Sequence, residues 1–392
     1  MIMNKILIIE DDNLVANIYR NKFVSENFEA EVAPDAEIGL EMMDSFKPNA
    51  ILLDLMLPKM SGLDLLRAIR AKADSKQLPV IVFSNTYLSN MVQDAWKAGA
   101  NKCLSKANCT PKQVVSVIRS LLGQAATASE PSSKAAAPAP AAPDADTVFQ
   151  DELRQSFVAT LPGILAGARA NLQALAKATE ETARVNQLQE LYKRIHSLAA
   201  NAGIAGVAQI AQMADAVEAL LKELYEKPNN ITPSSLRTLA LAIDFLGVLF
   251  DRSAKSDAQS VNADIKADIL VVDDEAISRR AVTYALEKAK LQAVGMEDPT
   301  AALDTLAERP FDLVFLDVDM PGMNGFELCT KLRGLHRNKT TPVVFVTSLT
   351  DFESRANSTM SGGNDLIAKP FLFMELAVKA LVYVLRGRLA PA

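Results

Sequence analysis

The sequence is poor in residues that build disulfide or metal scaffolds, with 3 cysteines and 2 histidines among 392 residues. Cys103, Cys109 and Cys329 are odd in number, widely spaced and contain no C-x-x-C pair, which argues against a disulfide framework or a zinc site. A reducing, cytoplasmic setting is therefore expected. Neither sign of charge dominates: 41 Lys plus Arg stand against 47 Asp plus Glu, and no strongly basic domain appears. That balance disfavours broad binding to phosphate backbones, so no nucleic-acid partner is expected. Long apolar runs are missing too. The opening MIMNKILIIEDDN has no stretch of signal-peptide length, and the most apolar later stretch, Leu239 to Phe250, is short and carries Asp244. No membrane insertion is expected. A P-loop or similar glycine-rich nucleotide motif is also absent, so the chain is not expected to be a kinase.

What remains is ordinary globular composition, 49% hydrophobic and 22% charged, at a length that predicts two to four domains. Residues 124–147, QAATASEPSSKAAAPAPAAPDADT, offer no periodic large apolar positions and read as a linker. Extended at ~3.1 Å per residue it would reach about 70 Å. A second polar stretch, 252–266, separates a helical middle from another apolar run. Three folded pieces result: 1–123, 148–251 and 267–390.

The outer pieces repeat one another. KILIIEDD matches DILVVDDE, LLDLMLPKMSG matches FLDVDMPGMNG, PVIVFSN matches PVVFVTS, and KCLSKAN matches DLIAKPF. Asp11 and Asp274, Asp54 and Asp317, Ser84 and Thr347, and Lys106 and Lys369 are each 263 positions apart. Four motifs in one register indicate two copies of one fold. In the first copy, β-branched runs near 5–9, 29–32, 50–54, 79–83 and 102–104 alternate with helical periodicity, ending in a helix from about Pro111 to Leu122. This pattern predicts a five-stranded, parallel, doubly wound α/β unit, flavodoxin-like in class. The middle piece shows helical periodicity over Phe149–Ala178, Arg184–Ala200, Val207–Tyr225 and Ser234–Asp251, which predicts an antiparallel all-α bundle.

In a doubly wound sheet, ligands bind at the carboxyl ends of the strands. Glu10, Asp11, Asp54, Ser84 and Lys106 all fall there, and Asp273, Asp274, Asp317, Thr347 and Lys369 repeat the set. Three carboxylates facing one lysine repel one another unless a hard cation neutralises them, and oxygen ligands suit Mg²⁺. With that ion, one carboxylate can accept a phosphoryl group whose oxygens the metal, lysine and hydroxyl neutralise. Asp54 and Asp317 are the candidates, each leading into a Pro-containing loop that ends in glycine.

These residues resemble the receiver domain of two-component response regulators over nearly all of both outer pieces. The resemblance implies that Asp54 and Asp317 are phospho-acceptors in domains that catalyse only their own phosphorylation and dephosphorylation. It implies that Asp11 and Asp274 ligate Mg²⁺ directly, with Glu10 and Asp273 assisting through water. The main-chain carbonyls of Met56 and Asp319 would complete the ligands, and Ser84, Thr347, Lys106 and Lys369 would hold phosphoryl oxygens. Three departures bear on signalling. The aromatic residue usual three positions before the lysine is Cys103 or Leu366 here, which removes the usual aromatic switch. The family's Lys-Pro pair survives as Lys369-Pro370 but becomes Lys106-Ala107, so the first copy's last loop is expected to differ in shape. Met56 faces Asp319 in the alignment of the copies, so phosphoryl lifetimes are expected to differ.

His196 lies in RIHSLAANAGIAGVAQIAQMADAVEALL. Leu188, Leu191, Ile195, Leu198 and Ala202 form a stripe of buried type, leaving His196 between Lys193 and the small residues Ala199, Ala200 and Gly203. Small neighbours would let a partner's concave pocket reach the imidazole. With Leu198, Gly206 and Glu218 the segment resembles a histidine phosphotransfer domain, which implies that His196 carries phosphate. Ala199 and Ala200 stand where that family usually has Lys and Gly, and Lys193 is the candidate substitute. His336, in RGLHRNKTTP, reads as a solvated loop residue.

The leading expectation is a phosphorelay protein passing phosphoryl groups among Asp54, His196 and Asp317. Its partners would be a sensor histidine kinase or small phosphoryl donor, and a downstream response regulator or signalling protein. Two alternatives stay open. In one, the bundle is an inert adaptor between receivers. In the other, Asp317 and Asp319 in LDVDMP form the Asp-x-Asp pair of a haloacid-dehalogenase-like phosphatase.

Overall fold

The computed structural model describes residues 3–84, 89–106, 109–123, 145–253, 266–348 and 358–389. Most of both predicted linkers, and Ala107, lie outside the described residues. The chain divides into two compact units. One contains the first α/β repeat with Arg194–Asp215 and the start of the long helix preceding them; the other contains Leu165–Lys193, Ala216–Arg252 and the second α/β repeat.

In the first unit the strands are β1 (Lys5–Ile9), β2 (Glu29–Ala33), β3 (Ala50–Leu53), β4 (Val80–Ser84) and β5 (Lys102–Ser105). Helices α1 (Asn13–Ser25), α2 (Ala36–Phe46), α3 (Gly62–Ala71), α4 (Ser89–Lys97) and α5 (Pro111–Leu121) alternate with them. All pairings are parallel, in the order β2-β1-β3-β4-β5. The central strands KILII, AILL and VIVFS are apolar on both faces, as a sheet covered by helices on both sides requires. Ile6, Ile8, Leu52 and Phe83 face a core with Tyr19, Phe23 and Val114, and Leu7, Ile9, Leu53 and Val82 face a second core with Leu65 and Ile69. Local chemistry starts the helices: Asp35 caps α2, Ser61 caps α3, and Thr110 with Gln113 forms a capping box on α5.

Four helices occupy the middle of the chain: α6 (Ala145–Lys177), α7 (Glu181–Ile204), α8 (Ala208–Glu226) and α9 (Pro233–Ser253). Helix α7 runs a turn beyond its expected end, and Gly206 stops it. Gly206 adopts φ +71°, while Val207 N donates to Ala202 O at 2.9 Å. Helix α9 is 21 residues long, and by length and composition it would suffice to cross a membrane; the expected stretch, Leu239 to Phe250, was shorter. Its Leu239, Ile243, Phe245, Leu246 and Leu249 are buried within the protein.

The second α/β repeat has β6 (Ile269–Val272), β7 (Ala293–Met296), β8 (Leu313–Leu316), β9 (Val343–Thr347) and β10 (Asp365–Ala368) in the parallel order β7-β6-β8-β9-β10. Its helices include α10 (Ala276–Lys288), α11 (Pro299–Glu308), α12 (Gly325–Arg333) and α13 (Phe373–Leu389). Helix α13 is apolar nearly all round, and every residue from Met374 to Leu385 is buried. Within this unit Glu375 accepts hydrogen bonds from Ser234 Oγ at 2.6 Å and Thr238 Oγ1 at 3.1 Å, and Arg386 lies over the Phe245 ring.

Candidate functional sites in the two α/β repeats

In the first repeat, backbone bonds hold the strand ends together. Glu10 N donates to Ala33 O and Asp54 N to Ile9 O, both at 3.0 Å, while Lys106 N reaches Ser84 O at 3.4 Å. The loop after Asp54 folds back until Gly62 N donates to Leu55 O at 2.9 Å. A Cβ on Gly62 would lie 1.9 Å from the carbonyl oxygen of Asp54, so only glycine admits this approach. Gly325 repeats the constraint, its Cβ position lying 2.1 Å from the carbonyl oxygen of Asp317.

The carboxylates of Glu10, Asp11 and Asp54 converge, each placing one oxygen within 4.8 Å of the others. Lys106 is fully buried and donates to Glu10 Oε1 at 2.8 Å and Asp54 Oδ2 at 2.7 Å. Met56 N donates to Asp54 Oδ1 at 3.2 Å, and Ser84 is buried at the end of β4. Burial pushes Glu10 up to about 8 against the pull of Lys106. Burial also opposes ionisation of Asp54, but Lys106 and His196 hold its carboxyl well below the usual range. The two acids outweigh the desolvation of Lys106 and keep it protonated. Asp11, exposed at its edge, is raised mainly by desolvation, with Asp54 adding to it.

The expectation of an accessible imidazole is not met. His196 is buried, 7% exposed, with Nε2 3.6 Å from Asp54 Oδ2. Of the small residues beside it, Ala200 enters the core cluster that contains Val15, Ile18 and Tyr19 of the first repeat, and Ile204 joins it there. Ser197 Oγ donates to Asp12 Oδ2 at 2.7 Å. Leu188, Leu191, Ile195, Leu198 and Ala202 are fully buried. Lys193 pairs with Glu190 at 3.0 Å, and Glu218 accepts from Tyr192 Oη at 3.2 Å.

The second repeat rebuilds the acid cluster from Asp273, Asp274 and Asp317, with the same convergence of oxygens. Lys369 lies 2.9 Å from Asp273 Oδ2 and 3.2 Å from Asp317 Oδ1, its side chain 20% exposed. Asp273 also accepts from Ser278 Oγ at 2.5 Å. Burial raises Asp317, with Lys369 opposing and Asp273 reinforcing it, while the two acids together raise Lys369 despite its own desolvation. Thr347 is fully buried, Asp319 is exposed, and the Lys369-Pro370 peptide is cis. Cys103 and Leu366, at the switch position, are half-buried, and His336 is exposed.

Some supporting residues escaped the sequence reading. Arg70 Nε donates to Gly99 O at 2.9 Å, and its terminal nitrogens reach Ser75 O and Asn101 Oδ1. Arg333 does the same with Gly362 O, Thr341 O and Asn364 Oδ1. Asn101 and Asn364 accept from the first amides of β4 and β9, each at 2.8 Å. Both pairs lie 263 positions apart, so the offset already contained the signal. Asp12 gave no such signal, because position 275 is glutamate.

A family model for the response regulator receiver domain matches residues 6–119 and 269–380, together more than half of the chain. The transcriptional regulatory protein ResD of Bacillus subtilis is 37% identical over 116 residues, 29% of this chain and 47% of that protein. The DNA-binding response regulator MtrA of Mycobacterium tuberculosis is 36% identical over 124 residues, 32% of this chain and 53% of that one. The chain thus spans about half the length of the curated relatives it matches. Among solved structures, the chemotaxis response regulator CheY4 of Vibrio cholerae is 31% identical, with a TM-score of 0.29, covering 31% of this chain and 99% of that one. With both halves of its internal repeat matched across their sheets, this chain belongs to the response regulator receiver domain family, which it carries in two copies.

Proposed function

We propose that the chain is a cytoplasmic phosphorelay signalling protein whose central helices act as an antiparallel, histidine phosphotransfer-like bundle. The observation that carries this reading is the 3.6 Å approach of His196 Nε2 to Asp54 Oδ2 in a buried acid pocket. Two-component signalling in general follows from the two receiver domains. The particular pairing of donor and acceptor is the added claim.

The acid clusters suit a hard divalent cation, since each offers three carboxylate oxygens on one side and a single lysine on the other. Mg²⁺ would be held by Glu10, Asp11, Asp54 and the Met56 carbonyl in the first receiver, and by Asp273, Asp274, Asp317 and the Asp319 carbonyl in the second. When bound, it neutralises charge on the phosphoryl oxygens. Lys106 and Lys369 would pair with one such oxygen, and Ser84 and Thr347 would donate to another. Asp54, kept ionised by its neighbours, attacks phosphorus of an incoming donor and carries the group as an acyl phosphate, while the donor's own P–N bond (a phosphohistidine) or P–O bond (a small acyl phosphate) breaks and its imidazole or carboxylate leaves with the electron pair. Transfer to His196 breaks the P–O bond, returns the electron pair to the carboxylate and forms a P–N bond from the Nε2 lone pair, with Nδ1 retaining its proton. The reverse sequence runs through the same atoms. The donor is a sensor histidine kinase or a small acyl phosphate, and output passes through protein contacts to a downstream response regulator or other signalling protein.

The test is to label the full chain with radioactive acetyl phosphate and compare Asp54→Ala, Asp317→Ala and His196→Gln for label surviving base. Aspartyl phosphate is lost in base whereas phosphohistidine persists. We expect a base-stable fraction that disappears in His196→Gln and in Asp54→Ala. Label that is wholly base-labile in the unmodified protein would reject the relay in favour of an adaptor role for the bundle.

A further inference from the structure

The structure assigns Ser197 as a positioning residue that docks the His196 helix on the first receiver and discriminates against the second. The assignment deepens the relay reading and, for its transfer step, rests on it. It concerns a chain of three polar side chains outside the acid cluster. Asn201 Nδ2 donates to Ser197 Oγ at 3.1 Å, and Ser197 Oγ donates to Asp12 Oδ2 at 2.7 Å. Asp12 is held in turn: its Oδ1 accepts from Val15 N at 3.2 Å and its carbonyl from Ala16 N at 2.9 Å, so it caps α1 with one oxygen and receives Ser197 on the other. A hydroxyl-to-carboxyl hydrogen bond in a half-buried place is among the stronger kinds, and polarisation along the chain strengthens it. Ser197 directly follows the histidine, so this bond fixes the helix where Nε2 faces Asp54. One and two turns further on, Ala200 and Ile204 settle against Val15, Ile18 and Tyr19.

The second receiver keeps a buried apolar residue, Val282, in the place of Tyr19 but changes the rest of this seat at the matching positions, 263 residues on. Asp12 becomes Glu275, which is exposed and makes no side-chain cap on α10. Its extra methylene would displace the carboxylate from the position that caps and accepts at once. Val15 becomes Ser278, whose hydroxyl is turned onto its own receiver's Asp273. Ile18 becomes Ala281, and Ala16 becomes Arg279, whose guanidinium bonds the Asp273 carbonyl and pairs with Glu297 at 3.5 Å. A helix bearing Ser197, Ala200 and Ile204 therefore finds a fixed acceptor and an apolar seat on α1, and on α10 a non-capping glutamate and a smaller, more polar surface. His196 exchanges phosphate with Asp54, and the Asp317 site is left for a separate protein.

The test uses the full chain and two readouts. The first is labelling by acetyl phosphate, divided into base-labile and base-stable fractions over time. Ser197→Ala should leave Asp54 able to take base-labile label at no lower rate while slowing base-stable label on His196 roughly tenfold, and Ser197→Thr, which keeps the hydroxyl, should restore the rate. Asp12→Glu, which gives the first receiver the second's residue, should slow transfer as Ser197→Ala does. The second readout, hydrogen–deuterium exchange in α1, does not depend on transfer: Ser197→Ala should accelerate it several-fold and Ser197→Thr should not. Unchanged exchange together with unchanged transfer in Ser197→Ala would overturn the assignment, as would base-stable label that persists in Asp54→Ala and vanishes in Asp317→Ala. Accelerated α1 exchange in a protein that never forms base-stable label would uphold the docking role and reject the relay.

Discussion

The two receivers carry the same acids, hydroxyl and lysine on the same strand ends, yet their central aspartates are perturbed in opposite directions. Asp54 is held below the ordinary carboxylate range, whereas Asp317 is raised from its ordinary value. Desolvation is the largest influence on each and raises both, so burial alone does not separate them. The difference lies in the partners: Asp54 has the fully buried Lys106 as its strongest lowering influence and His196 beside it, whereas Asp317 has a lysine that is 20% exposed and a neighbouring Asp273 that opposes it. A second contrast lies in the last helix of each copy. Helix α5, PKQVVSVIRSL, buries only one face, while α13 is buried for twelve residues in succession. A motif fixes which atoms meet at a strand end, and what packs over those atoms decides how they behave.

The contrast predicts first where the two copies must agree. Because both pockets gather three carboxylate oxygens, chelation of divalent cations should abolish acetyl-phosphate labelling of Asp54 and Asp317 alike, and excess Mg²⁺ should restore it. Loss at only one aspartate would mean that the shared acids do not share a metal requirement.

The next largest effect is also common to both. Gly62→Ala and Gly325→Ala each drive a Cβ into the carbonyl of the central aspartate, and each should cost more than about 3 kcal/mol in chemical denaturation. Each should also suppress labelling of its own aspartate. Equal tolerance of alanine at either site would show that the loop can relax away from the close approach.

Much of this was readable from the sequence, and the reason is local. Strand positions of the first repeat agree with the expected ones to within one residue, because parallel strands buried on both faces must be apolar runs. The acids, hydroxyl and lysine were legible because they end those runs, and the 263-residue offset repeated them. Covering of His196 was not legible. Periodicity shows which face of α7 is apolar, but Ala200 and Ile204 read as bundle residues whether they meet another helix or α1 of the receiver. Asp12 was likewise invisible, since its cap looks local and its second bond goes to Ser197, 185 residues away. Glu375 reads as an exposed helical acid until the hydroxyls of Ser234 and Thr238 are seen on it.

Glu375 sharpens the contrast between the last helices. Its counterpart in the first repeat is Lys112, which is exposed on α5. Glu375→Ala removes the acceptor shared by the half-buried Ser234 hydroxyl and the buried Thr238 hydroxyl and should cost about 1–3 kcal/mol, whereas Lys112→Ala should leave the unfolding midpoint unmoved. Similar losses at both positions would remove the distinction between a helix packed on one side and one packed all round.

The smallest effect tests the origin of the opposite carboxyl perturbations. His196→Ala removes the group that separates the Asp54 pocket from the Asp317 pocket and opens a path for small donors. Asp54 should then accept phosphate from acetyl phosphate faster, by a factor on the order of three, because less than ~1 kcal/mol of the barrier is at stake in admitting a small molecule to a partly opened site. The Asp317 rate should not change, since its pocket has no part in the substitution. Hydrolysis of the Asp54 acyl phosphate should rise in parallel, water being admitted by the same opening. If both Asp54 rates stay where they are, the imidazole is not what shields the first pocket, and the contrast must instead be sought in the difference between Met56 and Asp319 two residues beyond the acceptor.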